Sequence, residues 1–191
     1  MIVKEKIEAF VSKFLLLLPV AKKLNDAGIN WMIGGSGCLF LLGNERVPQD
    51  VDIVLLDDEH DKADALFDIA PYTYNSSVES VRNSNPEGDH SIQFTSHIKF
   101  NLDKEYRFLI TPIVVKKKIR FKYKGTDFCL LSPEDVLLIK ALLQRGPKEG
   151  KKDIEDIRNF SKIYEIDHDY LAKRIKELGA EERVGNIFVK L

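Results

Sequence analysis

Apolar positions near the start of the chain recur at helical spacing. Ile7, Phe10, Val11, Phe14 and Leu18 share one face of a helix that runs to about Asp26 and stops at Ala27-Gly28. Ile29 to Ile33 reads as a short buried strand, broken by Gly34-Gly35-Ser36-Gly37. Cys38 to Leu42 is apolar throughout and follows a Gly-Ser turn, which predicts a buried helix ending at Gly43. Asn44 to Gln49 is a polar loop, Val51 to Leu56 a second strand, and Glu59 to Ala70 a helix by composition. Pro71 to Asp89 is rich in Ser, Asn, Pro and Gly and is partly loop.

Ser91 to Phe94 predicts a further strand, followed by a hairpin of His97 to Leu102 with Tyr106 to Ile110. Ile113 to Tyr123 adds another strand. Ser132-Pro133-Glu134-Asp135 has Ser at the cap, Pro next and acids in the first turn, the start of a helix reaching about Gln144. After a Gly146 to Gly150 loop, Lys151 to Ile163 and His168 to Leu178 are helical. The class is α+β: a small mixed sheet flanked by helices, with C-terminal helices following it. The expected division is an α/β core with its N-terminal helix over residues 1–130 and a helical part packed on it over 131–191.

Composition changes this picture little. A chain of 191 residues with a formal net charge of −1 carries no whole-protein field that points to nucleic acid or a membrane. The uncharged stretch Trp31 to Asn44 contains four glycines, which argues against a spanning helix. Phe14 to Ala21 has the hydrophobicity of a signal-peptide core. Glu5 and Glu8 precede it, Lys22-Lys23 follow it and no small-residue cleavage site is present, so it reads as a packing helix. Two cysteines, Cys38 and Cys129, cannot build a disulfide framework or a four-thiolate zinc site. Their apolar surroundings predict reduced thiols and a cytoplasmic protein.

One constellation carries chemistry. Trp31-Met32-Ile33-Gly34-Gly35-Ser36 is followed, after thirteen residues, by Asp50-Val51-Asp52-Ile53. Carboxylates at i and i+2 on a strand project from one face, where they repel unless a cation lies between them. Mg²⁺ suits that position, since it takes one or two carboxylates together with substrate phosphates. The Gly-Gly-Ser turn opens a helix and offers backbone N–H groups and a hydroxyl to phosphate. Either half alone is common in loops and strand edges; the joint order of apolar strand, turn, helix, loop and acidic strand points to a bound nucleoside triphosphate.

These residues resemble the signature of the nucleotidyltransferase superfamily, whose small members include aminoglycoside and lincosamide nucleotidyltransferases. Arg46-Val47-Pro48-Gln49-Asp50 is similar to the basic loop before the family's first aspartate. Ser132 to Lys140 and Lys152 to Ile157 are similar to helices after the sheet in smaller members. The resemblance implies a nucleotidyltransferase-like mixed sheet. It also implies that Gly34, Gly35 and Ser36 contact nucleotide phosphate, that Arg46 and Lys140 add positive charge, and that Asp50 and Asp52 ligate Mg²⁺ and serve catalysis. The implied reaction transfers a nucleoside monophosphate to the hydroxyl of a small molecule, RNA or protein and releases pyrophosphate. A homodimer that completes the cleft is left open.

The family pattern expects a third acid on a later strand. The 106–111 strand aligns Phe108 with that slot, and Asp103 fills it if the register differs. Without it, the chain reads as a catalytically degenerate domain of the same fold that binds nucleotide or a protein partner, as one half of a toxin–antitoxin pair among other roles. Other residues have plainer readings. Lys118, Arg120, Lys122 and Lys124 alternate with Ile119, Phe121 and Tyr123 as the basic face of an edge strand, which an RNA acceptor could also use. Arg145, Lys151 and Lys152 are candidates for phosphate charge or solvated lysine and arginine. His60, His90, His97 and His168 show no ligand spacing, although His90 and His97 lie near the site in the chain.

Overall fold

A computed structural model describes residues 2–67, 72–73, 78–84 and 92–188, with backbone only for 72–73 and 78–84. Its helices are α1 (Lys4–Lys13), α2 (Leu17–Asp26), α3 (Gly35–Leu41), α4 (His60–Phe67), α5 (Pro112–Lys117), α6 (Pro133–Leu143), α7 (Asp153–Phe160), α8 (His168–Leu178) and α9 (Glu181–Phe188). The strands are β1 (Trp31–Ile33), β2 (Val51–Leu55), β3 (Tyr72–Thr73), β4 (Val78–Ser84), β5 (Ile92–Asn101), β6 (Glu105–Phe108), β7 (Ile119–Tyr123) and β8 (Thr126–Leu130).

The strands form one mixed sheet in the order β3-β4-β5-β2-β1-β8-β7, with β6 paired to β5. β1 is antiparallel to β2 and parallel to β8, while β2 is parallel to β5. The α+β class expected from the pattern is the class observed. The core is continuous from Phe10, Phe14 and Leu17 through Ile33, Leu39 and Ile53 to Leu137, Phe160 and Val184.

Several elements differ from the expectation. The first helix is two helices, interrupted where Phe14 leaves helical geometry at φ −111°, ψ 76°. Pro19 explains the restart: it is tolerated in the first turn of α2 but not inside one long helix. Ile113 to Tyr123 is not one strand. Pro112 sets the first turn of α5, and only Ile119–Tyr123 pairs, with the unanticipated β8. Val78–Ser84 is a strand inside the stretch read as partly loop, and α9 also went unanticipated.

β5 is one bent strand rather than two. It pairs with β2 through Thr95 and with β6 from Ile98 onward. Between them His97 takes a left-handed φ of 50°. This extra residue re-aims the strand, so that Thr95 and Ile98, three apart, both face one cleft. The same kink leaves Ser96 on the opposite side, with its Oγ 2.8 Å from His60 Nδ1 and 3.0 Å from His97 Nδ1.

α6 is anchored by a buried polar cluster. Ser132 Oγ accepts from the Asp135 N–H at 3.1 Å and donates to Asp135 Oδ2 at 2.8 Å. Tyr170 Oη donates to that oxygen at 2.6 Å, and Arg174 Nε donates to Oδ1 at 2.8 Å. Arg174 also bonds Glu177 and the Leu109 carbonyl, and lies 5.0 Å from the centre of the Phe108 ring. A buried ion pair with all three guanidinium nitrogens hydrogen-bonded ties α6, α8 and the end of β6 into one unit.

Candidate active site

The glycine turn after β1 and the acidic start of β2 are brought together by direct contact. The Gly34 N–H donates to the Asp52 carbonyl at 2.8 Å. Gly35 has a φ of +54°, and a Cβ there would fall inside the contact radius of Asp52 Oδ2. Both facts require glycine, the first for its backbone and the second for close approach. Gly37 serves packing instead: a Cβ would lie 3.0 Å from Phe10 Cζ and 3.3 Å from Ile33 Cγ2. The loop leading to Asp50 is held from α1, where Lys6 Nζ donates to the carbonyls of Gly43 and Asn44 at 3.0 and 2.7 Å. Lys13 Nζ donates to the Pro48 carbonyl.

Gly35, Ser36, Arg46, Asp50, Asp52 and Lys140 line a single cleft, together with Arg145 and Lys151. Its other wall is apolar and comprises Val54, Ile98, Phe100, Val136, Ile139 and Leu143. Arg46 and Lys140 are not loose in it. Arg46 Nη1 pairs with Asp156 Oδ2 at 2.7 Å, and Lys140 Nζ pairs with the same oxygen at 2.8 Å and with Asp153 Oδ1 at 3.2 Å. Arg145 Nε meets Asp153 Oδ2 at 2.9 Å. Burial alone would raise the Asp153 carboxyl, but the Arg145 hydrogen bond and the Lys140 and Arg145 charges outweigh it and hold it below its ordinary value. Three cations share two aspartates, so this wall stays net positive even before Lys151 is counted.

Asp103 is not brought into the cleft. It sits in the turn between β5 and β6, accepting from Tyr106 Oη at 2.8 Å and pairing with Arg183 Nη1 of α9 at 2.7 Å. The Tyr106 hydrogen bond and the Arg183 charge lower its carboxyl. Asp103 is a fastener between a hairpin and the last helix. Phe108 does not line the cleft: its strand pairs with the far half of β5 and its ring is buried. The strand beside Asp52 is β5, and the residue across from Asp52 is Gln93. Sequence reasoning missed this position because a parallel pair some forty residues apart leaves no local turn signal.

His97 lies beside Asp57, whose Oδ1 accepts the His97 backbone N–H at 2.8 Å, and it does not line the cleft. His90 lies outside the described residues. Cys38 is buried in α3, and burial pushes its thiol far up, so it stays protonated. No described helix is long and apolar enough to cross a membrane.

A mixed sheet with a glycine turn packed on an acidic strand defines a nucleotidyltransferase fold. The chain belongs to the family described as "Nucleotidyl transferase of unknown function (DUF2204)", whose profile matches residues 13–191. Among solved structures it is similar to TM1012 of Thermotoga maritima, assigned as a nucleotidyltransferase. The identity is 18%, coverage 73% of this chain and 89% of that one, and the TM-score 0.58. It is also similar to ANT(2″)-Ia in complex with adenylyl-2″-tobramycin, at 12% identity, 90% and 99% coverage and a TM-score of 0.57. The solution structure of the same antibiotic-resistance factor aligns at 12% identity, 94% and 96% coverage and a TM-score of 0.56. These likenesses are of fold. No curated protein matches the sequence significantly.

Proposed function

We propose that the protein is a Mg²⁺-dependent nucleotidyltransferase that moves a nucleoside monophosphate from a nucleoside triphosphate to an acceptor hydroxyl and releases pyrophosphate. The observation that carries this reading is the Gly35–Asp52 contact, which sets a phosphate-binding turn against two carboxylates in one cleft. The donor set fits Mg²⁺. Asp50 and Asp52 line the cleft beside the Gly35 turn, and one or two carboxylates completed by substrate phosphates is the arrangement this ion prefers. Asp50 and Asp52 would hold it, and when bound it supplies positive charge to the phosphates and the leaving pyrophosphate.

The chain's own residues do the rest. The backbone N–H groups and hydroxyl of Gly35 and Ser36 receive phosphate oxygens. Lys151, Arg46 and Lys140 surround the triphosphate with positive charge. Asp153 and Asp156 fix the last two in place, so little reorganisation accompanies binding.

Gln93 favours a second reading. An amide across from Asp52 gives the site one acid fewer than the family pattern expects, which fits a domain that binds nucleotide without efficient transfer. One experiment separates the two. The protein is incubated with Mg²⁺ and each of four α-labelled nucleoside triphosphates in cell extract, in parallel with an Asp50→Asn, Asp52→Asn double variant. Transfer predicts label on an acceptor with the wild type alone. Equal labelling by both proteins, or by neither, removes the catalytic reading.

A further inference from the structure

We infer that the free edge of β7 is a docking site for a partner protein, whose extended segment, acidic and apolar at alternating positions, adds as a further antiparallel strand. The site is separate from the cleft, which no β7 residue lines. β7 ends the strand order and pairs with β8 alone. The two strands are joined by Lys124-Gly125, at φ of 47° and 79°. A two-residue turn with both positions left-handed closes on a hydrogen-bonded pair, here Tyr123 and Thr126. Hydrogen-bonded and non-hydrogen-bonded pairs alternate along an antiparallel ladder. Lys122 and Arg120, across from Asp127 and Cys129, are therefore non-hydrogen-bonded positions, and their N–H and C=O groups point out of the sheet. Among the described residues no backbone group bonds to this edge. An open row of donors and acceptors is a template for another strand.

The side chains say which strand fits. Arg120 and Lys122 are exposed on one face of β7. Ile119, Phe121 and Tyr123 are half-buried on the other, where Phe121 stacks on Phe128 with ring centres 5.1 Å apart. Among the described residues Lys118, Arg120 and Lys124 have no carboxylate partner, and Lys122 meets Asp127 at 3.5 Å with both side chains largely in solvent. An exposed pair of that kind holds little energy. Residues directly opposite on an added strand come within contact of those on β7. Carboxylates therefore suit the positions across from Arg120 and Lys122, and apolar residues between them cover Ile119, Phe121 and Tyr123.

Other occupants fit less of this surface. A second copy joined edge to edge through β7 would set cation against cation, which is unfavourable. RNA phosphates would meet the cations, but they offer no donor to the outward carbonyls and no cover for the apolar row. A lipid surface takes apolar side chains inserted beside the cations. The exposed large apolar side chains among the described residues are Leu15, Val47, Leu109 and Ile163, none of them on β7 or β8.

The test titrates the full chain against a fluorescein-labelled, end-blocked peptide, Glu-Val-Glu-Val-Glu-Val-Glu, and reads fluorescence anisotropy. In the added strand the glutamates carry the main-chain bonds to Arg120 and Lys122, while the valine amides point away. The peptide is expected to bind. N-methylation of its third and fifth residues should weaken binding by about tenfold, the loss of two hydrogen bonds, and N-methylation of the central valine should leave it unchanged. Arg120→Gln with Lys122→Gln should weaken binding by about fivefold, as two cross-strand charge pairs are lost. Glu-Glu-Glu-Glu-Val-Val-Val and labelled heptauridylate should both bind more weakly than the alternating peptide. The methylated peptides leave the protein unaltered, so a folding defect in the double variant cannot mimic their result. No binding of the alternating peptide, equal loss on methylating glutamate or valine, or heptauridylate binding as tightly as the peptide overturns the site.

Discussion

Gln93 of β5 stands directly across from Asp52 of β2, in the parallel register that also sets Thr95 across from Val54. Facing partners on adjacent strands project from the same side of a sheet, at a strand spacing of about 4.8 Å. A carboxylate at 93 would therefore reach the space the two aspartates share. Gln93→Glu is expected to tighten Mg²⁺ binding and to raise transfer by about 100-fold, the low end of what a well-placed general base contributes. Mg²⁺ titrations and initial rates on the single variant check it; unchanged values would remove residue 93 from the site.

Gly35 joins a left-handed backbone to a close contact with Asp52. Gly35→Ala should cost about 1–3 kcal/mol of stability, the range for a side chain held in a sparsely populated backbone region. It should also push Asp52 aside. Urea unfolding measures the first effect and nucleotide titration the second, with binding expected to fall more than stability alone explains.

Asp103 ties the β5–β6 turn to α9 through Arg183. Asp103→Asn is expected to leave Mg²⁺-nucleotide affinity as in the wild type while lowering the melting temperature slightly. A nucleotide-binding defect at an unchanged melting temperature would return Asp103 to the site.

Asp153 sets a pH dependence. Its folded pKa lies below the unfolded value of about 3.9, so its ion pairs stabilise the protein above that pH and the contribution is lost as pH falls through the folded pKa. Thermal unfolding between pH 7 and pH 2 should show a decline concentrated below about pH 4. In Asp153→Asn the melting temperature should be lower at pH 7 and the decline shallower.

Residues whose partners are near in sequence were the legible ones. The Gly-Gly-Ser turn, the Asp-x-Asp strand, the capped start of α6 and the amphipathic face of α8 each announce themselves within a few residues. The two aspartates and the glycine turn meet because β1 and β2 pair through α3 and a short loop. What was hidden depends on distant partners. The strand beside Asp52 comes from residue 92 onward in parallel pairing, and the bend at His97 follows no local rule. The partners of Arg46 and Lys140 lie on α7, which moved these residues from free phosphate contacts to members of an ion-pair network. Asp103 sat next to the expected slot in sequence, yet a hairpin turn carried it to α9.

In the proposed site Asp50 and Asp52 hold a divalent cation against a nucleotide gripped by the turn at Gly35. Calorimetric titration of α,β-methylene-ATP into the protein, with and without Mg²⁺, tests it most directly when run beside the Asp50→Asn, Asp52→Asn double variant. Mg²⁺-dependent binding by the wild type is expected, weakened by more than about tenfold in the double variant at an unchanged melting temperature, since truncating paired charges in a site costs at least about 2 kcal/mol. Equal binding by the two proteins, or binding by the wild type that ignores Mg²⁺, would contradict it.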